Sequence, residues 1–237
     1  MSGLRSALFG AWFYLVTTVL AVAFAALLPF PRAAIMGGLR LWARLIVLGL
    51  KVFVGVRIEV RGLEHRPTGA ALIASKHQGW FDAMGPFTFL PDACFVLKQE
   101  LLRIPFWGWE AGKAEMIPID RGAHAQAVRD LVAAARRRLG DGRQVIIFPE
   151  GTRRAPGAAP AYKPGVAAIY RELEVSCTPV ATNSGVHWPA DALPSRPGVI
   201  VFEFLPPIPA GLKRAEFMRE LQERIEAASN ALLAEGV

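Results

Sequence analysis

Short apolar runs alternate with amphipathic stretches over most of the chain. From residue 57 onward the apolar runs are bounded by glycine, proline or charged residues, as is typical of buried strands. Between them lie stretches with apolar residues at helical spacing, for example Leu131, Ala135 and Leu139. The predicted strands are 58–62, 71–74, 94–98, 116–121, 144–148, 178–182 and 199–205, and the predicted helices are 82–90, 123–139, 162–173 and 214–234. This alternation predicts an α/β fold with a mixed, largely parallel central sheet covered by helices.

The beginning of the chain has a different pattern, dominated by apolar residues. No charged residue occurs from Ser6 to Pro31, and this run would be roughly 39 Å long as a helix. The hydrocarbon core of a bilayer is about 30 Å thick, so the run is long enough to cross it. A signal peptide is the competing interpretation, because Arg5, the apolar run and the small residues at 21–23 imitate one. The apolar run continues past that site and a second one follows at 33–56, which favours a membrane anchor.

The positive charge of the chain is concentrated at this same end. The formal net charge is +7, and the first sixty residues hold six Lys and Arg against one acidic residue. Arg40, Arg44 and Lys51 fall close to one helical face, which suits a helix in the membrane interface with basic groups at lipid phosphates. No aromatic–basic interleaving or zinc-finger spacing supports nucleic-acid binding, the usual alternative for a basic chain. We therefore expect an N-terminal membrane-embedded helical segment, 1–56, and an α/β domain, 57–237.

The most informative polar residues lie in a strand–turn–helix unit around residue 77. The apolar strand 71–74 breaks into polar residues and a glycine, and ligands of open α/β sheets bind at such carboxyl ends. His77 and Asp82 are five positions apart, so neither one helix nor one strand puts them on the same face. A turn containing Gly79 can bring them together, and Asp82 can then hold one ring nitrogen and leave the other as a base. The alternative is a turn histidine followed by an aspartate that caps the next helix.

Two other strand ends carry groups suited to an anionic ligand. Gly151 and Thr152 let the backbone approach a ligand and offer N–H donors, while Arg121 and Arg153 are natural forks for a phosphate. Each arginine alone is typical of a surface ion pair. Together with Glu150, at the same end of one sheet, these residues predict a binding site for a phosphorylated substrate beside a histidine base.

Three motifs in the chain form a known set. They are the histidine and aspartate separated by four residues at 77–82, IPIDR at 117–121, and FPEGTR at 148–153. Their order and spacing resemble the glycerolipid acyltransferase family, in particular the bacterial 1-acyl-glycerol-3-phosphate (lysophosphatidate) acyltransferases, over about residues 60–210. Two positions depart from the pattern: the family often has Asn before the histidine and Ser two positions after it, where this chain has Lys76 and Gly79.

The resemblance implies a reaction and a role for each site residue. An acyl chain would pass from acyl-CoA or acyl carrier protein to the free glycerol hydroxyl of lysophosphatidic acid, giving phosphatidic acid in phospholipid biosynthesis. His77 would be the catalytic base and Asp82 its orienting partner. The thioester donor is already activated, so we expect no cofactor beyond this donor substrate and no metal. Cys94 and Cys177 have no metal-ligand spacing and are expected to be buried thiols.

The location and the alternatives follow from the same reasoning. We expect the protein at the inner (cytoplasmic) membrane, in contact with membrane lipids, with its catalytic domain, 57–237, facing the cytoplasm. The acceptor can instead be another lysolipid, such as a lyso-ornithine lipid or a lysophospholipid. A membrane-anchored lipid hydrolase using the same His–Asp pair, and a lipid-binding protein without catalysis, are the alternatives from other functional classes.

Overall fold

A seven-stranded sheet forms the centre of the molecule, with helices on both faces. The computed structural model describes residues 2–120, 122 and 124–236. The strands are β1 (Val56–Arg61), β2 (Ala71–Ser75), β3 (Ala93–Lys98), β4 (Ile117–Ile119), β5 (Gln144–Ile147), β6 (Cys177–Thr182) and β7 (Gly198–Phe204). The helices are α1 (Ser2–Ala25), α2 (Arg32–Gly49), α3 (Pro86–Phe89), α4 (Trp107–Lys113), α5 (His124–Gly140), α6 (Gly165–Leu173), α7 (Ser184–His187) and α8 (Arg214–Ala234).

The sheet topology confirms the predicted mixed, largely parallel arrangement. The strand order is β1–β7–β6–β2–β5–β3–β4. The five strands from β6 to β4 pair in parallel, whereas β7 is antiparallel to β6 and parallel to β1. Consequently β2 and β5 lie side by side near the centre, with their carboxyl ends at the same edge of the sheet.

The central strands are apolar on both faces because each face is covered. In β2, Leu72 and Ala74 belong to the hydrophobic cluster that includes α5, α6 and α8, whereas Ile73 belongs to the cluster that includes α1 and α2. Ile146 of β5 also enters the α1–α2 cluster. The alternation of successive side chains along a strand accounts for this division of the core.

The helix predicted at 82–90 is wrong in its extent. A short 3₁₀ turn, Phe81–Ala83, precedes α3, which begins at Pro86. A continuous α-helix would require the N–H of residue 86 to bond to the carbonyl of residue 82, and proline has no N–H. Asp82 therefore lies in the turn, where its side chain can fold back along the preceding residues.

Helices α1 and α2 form an antiparallel hairpin that packs on one face of the sheet. The indole N–H of Trp12 in α1 donates to the carbonyl of Leu45 in α2 at 3.0 Å. Ile35 and Ile46 are fully buried in the same cluster as the sheet residues. Both helices, Gly3–Ala25 and Arg32–Val54 with its π-helical last turn, are long and apolar enough to cross a membrane. Segment 1–56 thus shares its core with the domain that follows it.

Each end of this hairpin is fastened to the α/β domain. At the end that carries the amino terminus, the hydroxyl of Ser6 donates to the carbonyl of Pro194 at 2.8 Å. At the other end, the two terminal nitrogens of Arg32 donate to the carboxylate of Asp92 at 2.7 and 2.8 Å. The fully buried Arg143 donates to the same carboxylate at 3.1 Å. Because both of its ends are attached to one domain, the hairpin lies along that domain.

The outer side of the hairpin exposes an apolar stripe. On α1 the exposed large apolar residues recur at helical spacing, and α2 and its last turn carry a second row. They are Leu4, Leu8, Leu15, Val19 and Val22 in the first helix, and Leu41, Leu48 and Val52 in the second. Exposed apolar residues that recur along a helix in this way are typical of a membrane contact.

Candidate active site

The carboxyl ends of β2 and β5 bring two predicted motifs together. The ring of His77 stacks on that of Phe148, with centroids 3.9 Å apart and planes 15° from parallel. The backbone N–H of His77 donates to Oε1 of Glu150 at 3.3 Å, and the N–H of Arg154 donates to the carbonyl of His77 at 2.8 Å. The turn 76–82 and the loop 148–154 therefore form one unit at this edge of the sheet.

His77 and Asp82 form a hydrogen-bonded pair. The Nδ1 atom of His77 is 3.0 Å from Oδ2 of Asp82, and that oxygen also accepts the backbone N–H groups of Gln78 at 2.6 Å and Gly79 at 2.8 Å. An oxygen that accepts two backbone N–H groups serves as an acceptor toward the imidazole as well, so Nδ1 carries the ring proton. The lone pair of Nε2 is then available as a base. Asp82 is completely buried, whereas the His77 side chain retains 16% of its exposure.

Close packing explains the glycine within this turn. A Cβ atom at position 79 would lie 2.2 Å from the carbonyl oxygen of Trp188, which is closer than any van der Waals contact allows. The serine that the acyltransferases resembling this chain often have at this position would make the same clash. The hydroxyl of Ser184, at the start of α7, lies 3.3 Å from that hypothetical Cβ position. A hydroxyl group is therefore present beside the turn, although it comes from a different segment.

A cation lies next to the turn 76–82. The guanidinium carbon of Arg153 is 4.3 Å from the ring centroid of Trp80, which is a cation–π contact. The Trp80 ring is 44% exposed, and its N–H donates to the carbonyl of Ala190 at 3.0 Å, which fixes the ring plane. The N–H donors of a guanidinium lie in its own plane, so contact with an aromatic face leaves them available for bidentate binding of a phosphate or carboxylate.

The other predicted substrate-binding residues lie in different environments. Glu150 is completely buried, and its carboxylate faces the backbone of the turn. Gly151 has φ of +67°, which favours glycine, and its N–H donates to the carbonyl of Phe148 within the loop. Thr152 is exposed. Arg121 lies outside the described residues.

A buried ionic network beside the turn was missed by sequence reasoning. The ammonium group of Lys76 lies 2.6 and 2.8 Å from the two carboxylate oxygens of Glu226 in α8, and 3.4 Å from Oε1 of Glu150. The hydroxyl of Tyr162 donates to Glu226 at 2.9 Å. The only signal in the sequence was a lysine at the end of a buried strand, because α8 shows many acidic residues and none that stands out.

Burial and charge oppose one another in this network. Burial raises the pKa of Glu150 above its usual range, while the positive charge of Lys76 and the N–H of His77 act to lower it. Burial, followed by the charges of Glu150 and Glu226, raises the pKa of Tyr162, so its hydroxyl remains a donor at neutral pH. Lys76 is thus the cation that favours the ionised form of Glu150.

Cys94 and Cys177 are buried free thiols. Within the described ranges, no three His, Cys, Asp or Glu residues are grouped so that they could hold a metal ion.

Comparisons with known proteins give a consistent result. A family model described as Acyltransferase matches residues 57–183. The chain is 34% identical over 211 residues to 1-acyl-sn-glycerol-3-phosphate acyltransferase from Pseudomonas aeruginosa, which covers 89% of this chain and 82% of that protein. It is 32% identical over 169 residues to 1-acyl-sn-glycerol-3-phosphate acyltransferase alpha from Mus musculus, covering 69% of this chain but only 59% of the mouse protein.

A solved structure supports the fold. The crystal structure of the 1-acyl-sn-glycerophosphate (LPA) acyltransferase PlsC from Thermotoga maritima superimposes with a TM-score of 0.81. The two sequences are 22% identical, and the match covers 99% of this chain and 98% of that one. The similarity therefore extends through the helical hairpin as well as the sheet.

Proposed function

Because the chain belongs to the acyltransferase family, we propose that it transfers an acyl chain from acyl-CoA or acyl carrier protein to the free hydroxyl of lysophosphatidic acid. The product would be phosphatidic acid, an intermediate of phospholipid biosynthesis. The names of the two relatives described above give 1-acyl-sn-glycerol-3-phosphate, which is lysophosphatidic acid, as their acceptor. The observation that carries the proposal is the His77–Asp82 pair at a strand end, with the guanidinium of Arg153 over the neighbouring Trp80.

The geometry supports general-base catalysis by His77. The acceptor hydroxyl attacks the thioester carbonyl while Nε2 of His77 takes its proton, so a C–O bond forms as the O–H bond breaks. Collapse of the tetrahedral intermediate breaks the C–S bond, and the imidazolium returns the proton to the departing thiolate. Asp82 holds the ring by Nδ1 and stabilises the imidazolium in between. The donor is already a thioester, so no covalent enzyme intermediate is required.

Arg153 is the best-placed group for the acceptor phosphate. It adjoins the catalytic turn through Trp80, and the exposed Thr152 beside it supplies a further donor. We assign Glu150 and Gly151 to the shape of this loop, since the carboxylate of one and the N–H of the other bond within the protein. Arg121 remains a proposed phosphate ligand on sequence grounds.

The hairpin gives the enzyme a route to its lipid substrate. Because both hairpin ends are attached to the α/β domain, we infer that α1 and α2 lie in the plane of the membrane, with their exposed apolar stripe in the lipid. A helix crossing the bilayer would draw the attached domain surface into the hydrocarbon. We propose that this occurs on the cytoplasmic side of the inner membrane.

His77→Ala is expected to lower kcat by at least about 10²-fold, because a positioned base contributes about 10²–10⁴-fold to such a step. Asp82→Asn should also lower kcat, since the ring loses the acceptor that fixes its tautomer. The two residues act as one unit, so the double variant should be little worse than the worse single variant. Radiolabelled acyl-CoA and lysophosphatidate measure the transfer.

The same assay separates the candidate activities for the wild-type chain. Labelled phosphatidate supports the proposal, whereas labelled free fatty acid without phosphatidate would indicate a hydrolase. Near-normal transfer by a folded His77→Ala variant would contradict the mechanism.

Arg153→Ala should raise the KM for lysophosphatidate about 10- to 150-fold, the equivalent of a charge-assisted hydrogen bond of roughly 1.5–3 kcal/mol. The KM for the acyl donor should change much less. Arg219→Ala is the matched control, because it removes one exposed arginine from α8 without touching the site. Equal losses for donor and acceptor would mean that Arg153 supports the structure and does not bind the phosphate.

Single cysteines test the in-plane hairpin. Gly3→Cys and Phe30→Cys mark its two ends, and both positions are exposed. An impermeant maleimide should label both from the cytoplasmic side, in inside-out vesicles but not in right-side-out ones. The two native thiols are buried and serve as the background. Labelling of the two positions from opposite sides would show that α1 spans the membrane.

A further inference from the structure

We propose that Lys76, anchored by Glu226 of the carboxyl-terminal helix α8, is a positioning residue that holds Glu150 against the backbone N–H of His77. The kinetic part of the test of this inference rests on the proposed function. It assigns a role in the reaction to a helix beyond the residues that the family model matches, 57–183.

The first observation is the anchoring of Lys76. Its side chain is 2% exposed, and a buried ammonium group is costly unless it is paired. Glu226 pairs it through both carboxylate oxygens, at 2.6 and 2.8 Å, and Tyr162 fixes Glu226 by a hydrogen bond of 2.9 Å. The network thus connects β2, the loop before α6 and α8.

The second observation is an atom that two contacts share. Oε1 of Glu150 lies 3.4 Å from the ammonium group of Lys76 and 3.3 Å from the backbone nitrogen of His77. The position and charge of this oxygen therefore depend on Lys76. Through it, the lysine acts on the peptide group that carries the catalytic histidine.

The third observation is electrostatic. The ionisable groups that interact with Glu150 are Lys76, His77 and Tyr162, and Glu226 pairs with Lys76 on its other side. Burial raises the pKa of Glu150, and the charge of Lys76 acts in the opposite direction. Without Lys76 the pKa would rise further, so Glu150 would be neutral over a wider pH range. A neutral carboxyl is a weaker acceptor for the His77 N–H than a carboxylate.

Removing the Lys76 side chain leaves the backbone hydrogen bond of this residue in place. The backbone N–H of Lys76 donates to the carbonyl of Val180 at 2.9 Å, and this bond is independent of the side chain. Asparagine, which resembling sequences often carry here, is too short to reach a partner on α8 as lysine does. The network is therefore a feature of this chain and not of the shared motif.

The test uses Lys76→Met, Glu226→Gln and the double variant, assayed for transfer to lysophosphatidate between about pH 6 and pH 9. Lys76→Met should lower kcat at least about tenfold near neutral pH, with the acceptor KM within about twofold. Its kcat should recover as pH rises, because Glu150 then ionises without help. Glu226→Gln keeps the charge of Lys76, so its loss should be smaller and its pH profile unshifted.

The double variant and a control complete the kinetic test. The connection from Glu226 to Glu150 runs through the ammonium group of Lys76, so the double variant should match Lys76→Met rather than add to it. The double variant also removes both charges together, which destabilises the protein less than leaving one charge buried and unpaired. It therefore replaces Lys76→Met if that single variant fails to fold. Glu223→Gln, on the same helix but in an exposed ion pair, should retain wild-type kcat and pH profile.

Amide hydrogen exchange of His77, followed by NMR, reports on its hydrogen bond to Glu150 without requiring enzyme activity. Exchange should be at least about tenfold faster in Lys76→Met, or in the double variant, than in the wild type. Unchanged exchange, or a kcat loss that is uniform across pH, or additive losses would overturn the inference. A wild-type protein that makes no phosphatidate would overturn the proposed function alone, because the exchange measurement still decides the role of Lys76.

Discussion

One carboxylate oxygen, Oδ2 of Asp82, determines the geometry of the candidate active site. It accepts the ring N–H of His77 and the backbone N–H groups of Gln78 and Gly79, so the side chain of residue 82 closes the turn that carries the histidine. The same contacts that fold the turn therefore also set the tautomer of the base. Gly79 makes this turn feasible because it packs against the carbonyl of Trp188 with no space for a side chain.

The topology of the sheet determines where this oxygen lies relative to the apolar hairpin. Adjacent parallel strands β2 and β5 put the histidine turn and the Glu150–Arg153 loop at one edge. The hairpin of α1 and α2 covers one face of the same sheet and exposes its other side as an apolar stripe. The proposed lipid-facing surface and the proposed catalytic edge are thereby built on one core, which suits the proposed transfer to an acceptor in the bilayer.

Much of this could be predicted from the sequence, and the failures have physical causes. Periodicity located the strands, and the five-residue offset showed that only a turn could pair His77 with Asp82, because these signals are local. The alternative, an aspartate capping the next helix, stayed open until the structure showed the pair. The helix predicted at 82–90 failed because Pro86 interrupts its hydrogen bonds. The pairing of Lys76 with Glu226 joins residues 150 positions apart, and the stacking of Arg153 on Trp80 depends on strand order. Such contacts arise from topology, which a single sequence reveals only through resemblance.

The tautomer of His77 in the resting protein tests the central claim most directly. In protein labelled with nitrogen-15 histidine, the two ring nitrogens give distinct chemical shifts, and a His77→Ala spectrum assigns those of His77 among the chain's four histidines. For the neutral imidazole, the account predicts a protonated Nδ1 and an unprotonated Nε2. A protonated Nε2, with Nδ1 bare, would contradict it, because Asp82 would then not be holding the ring as a base.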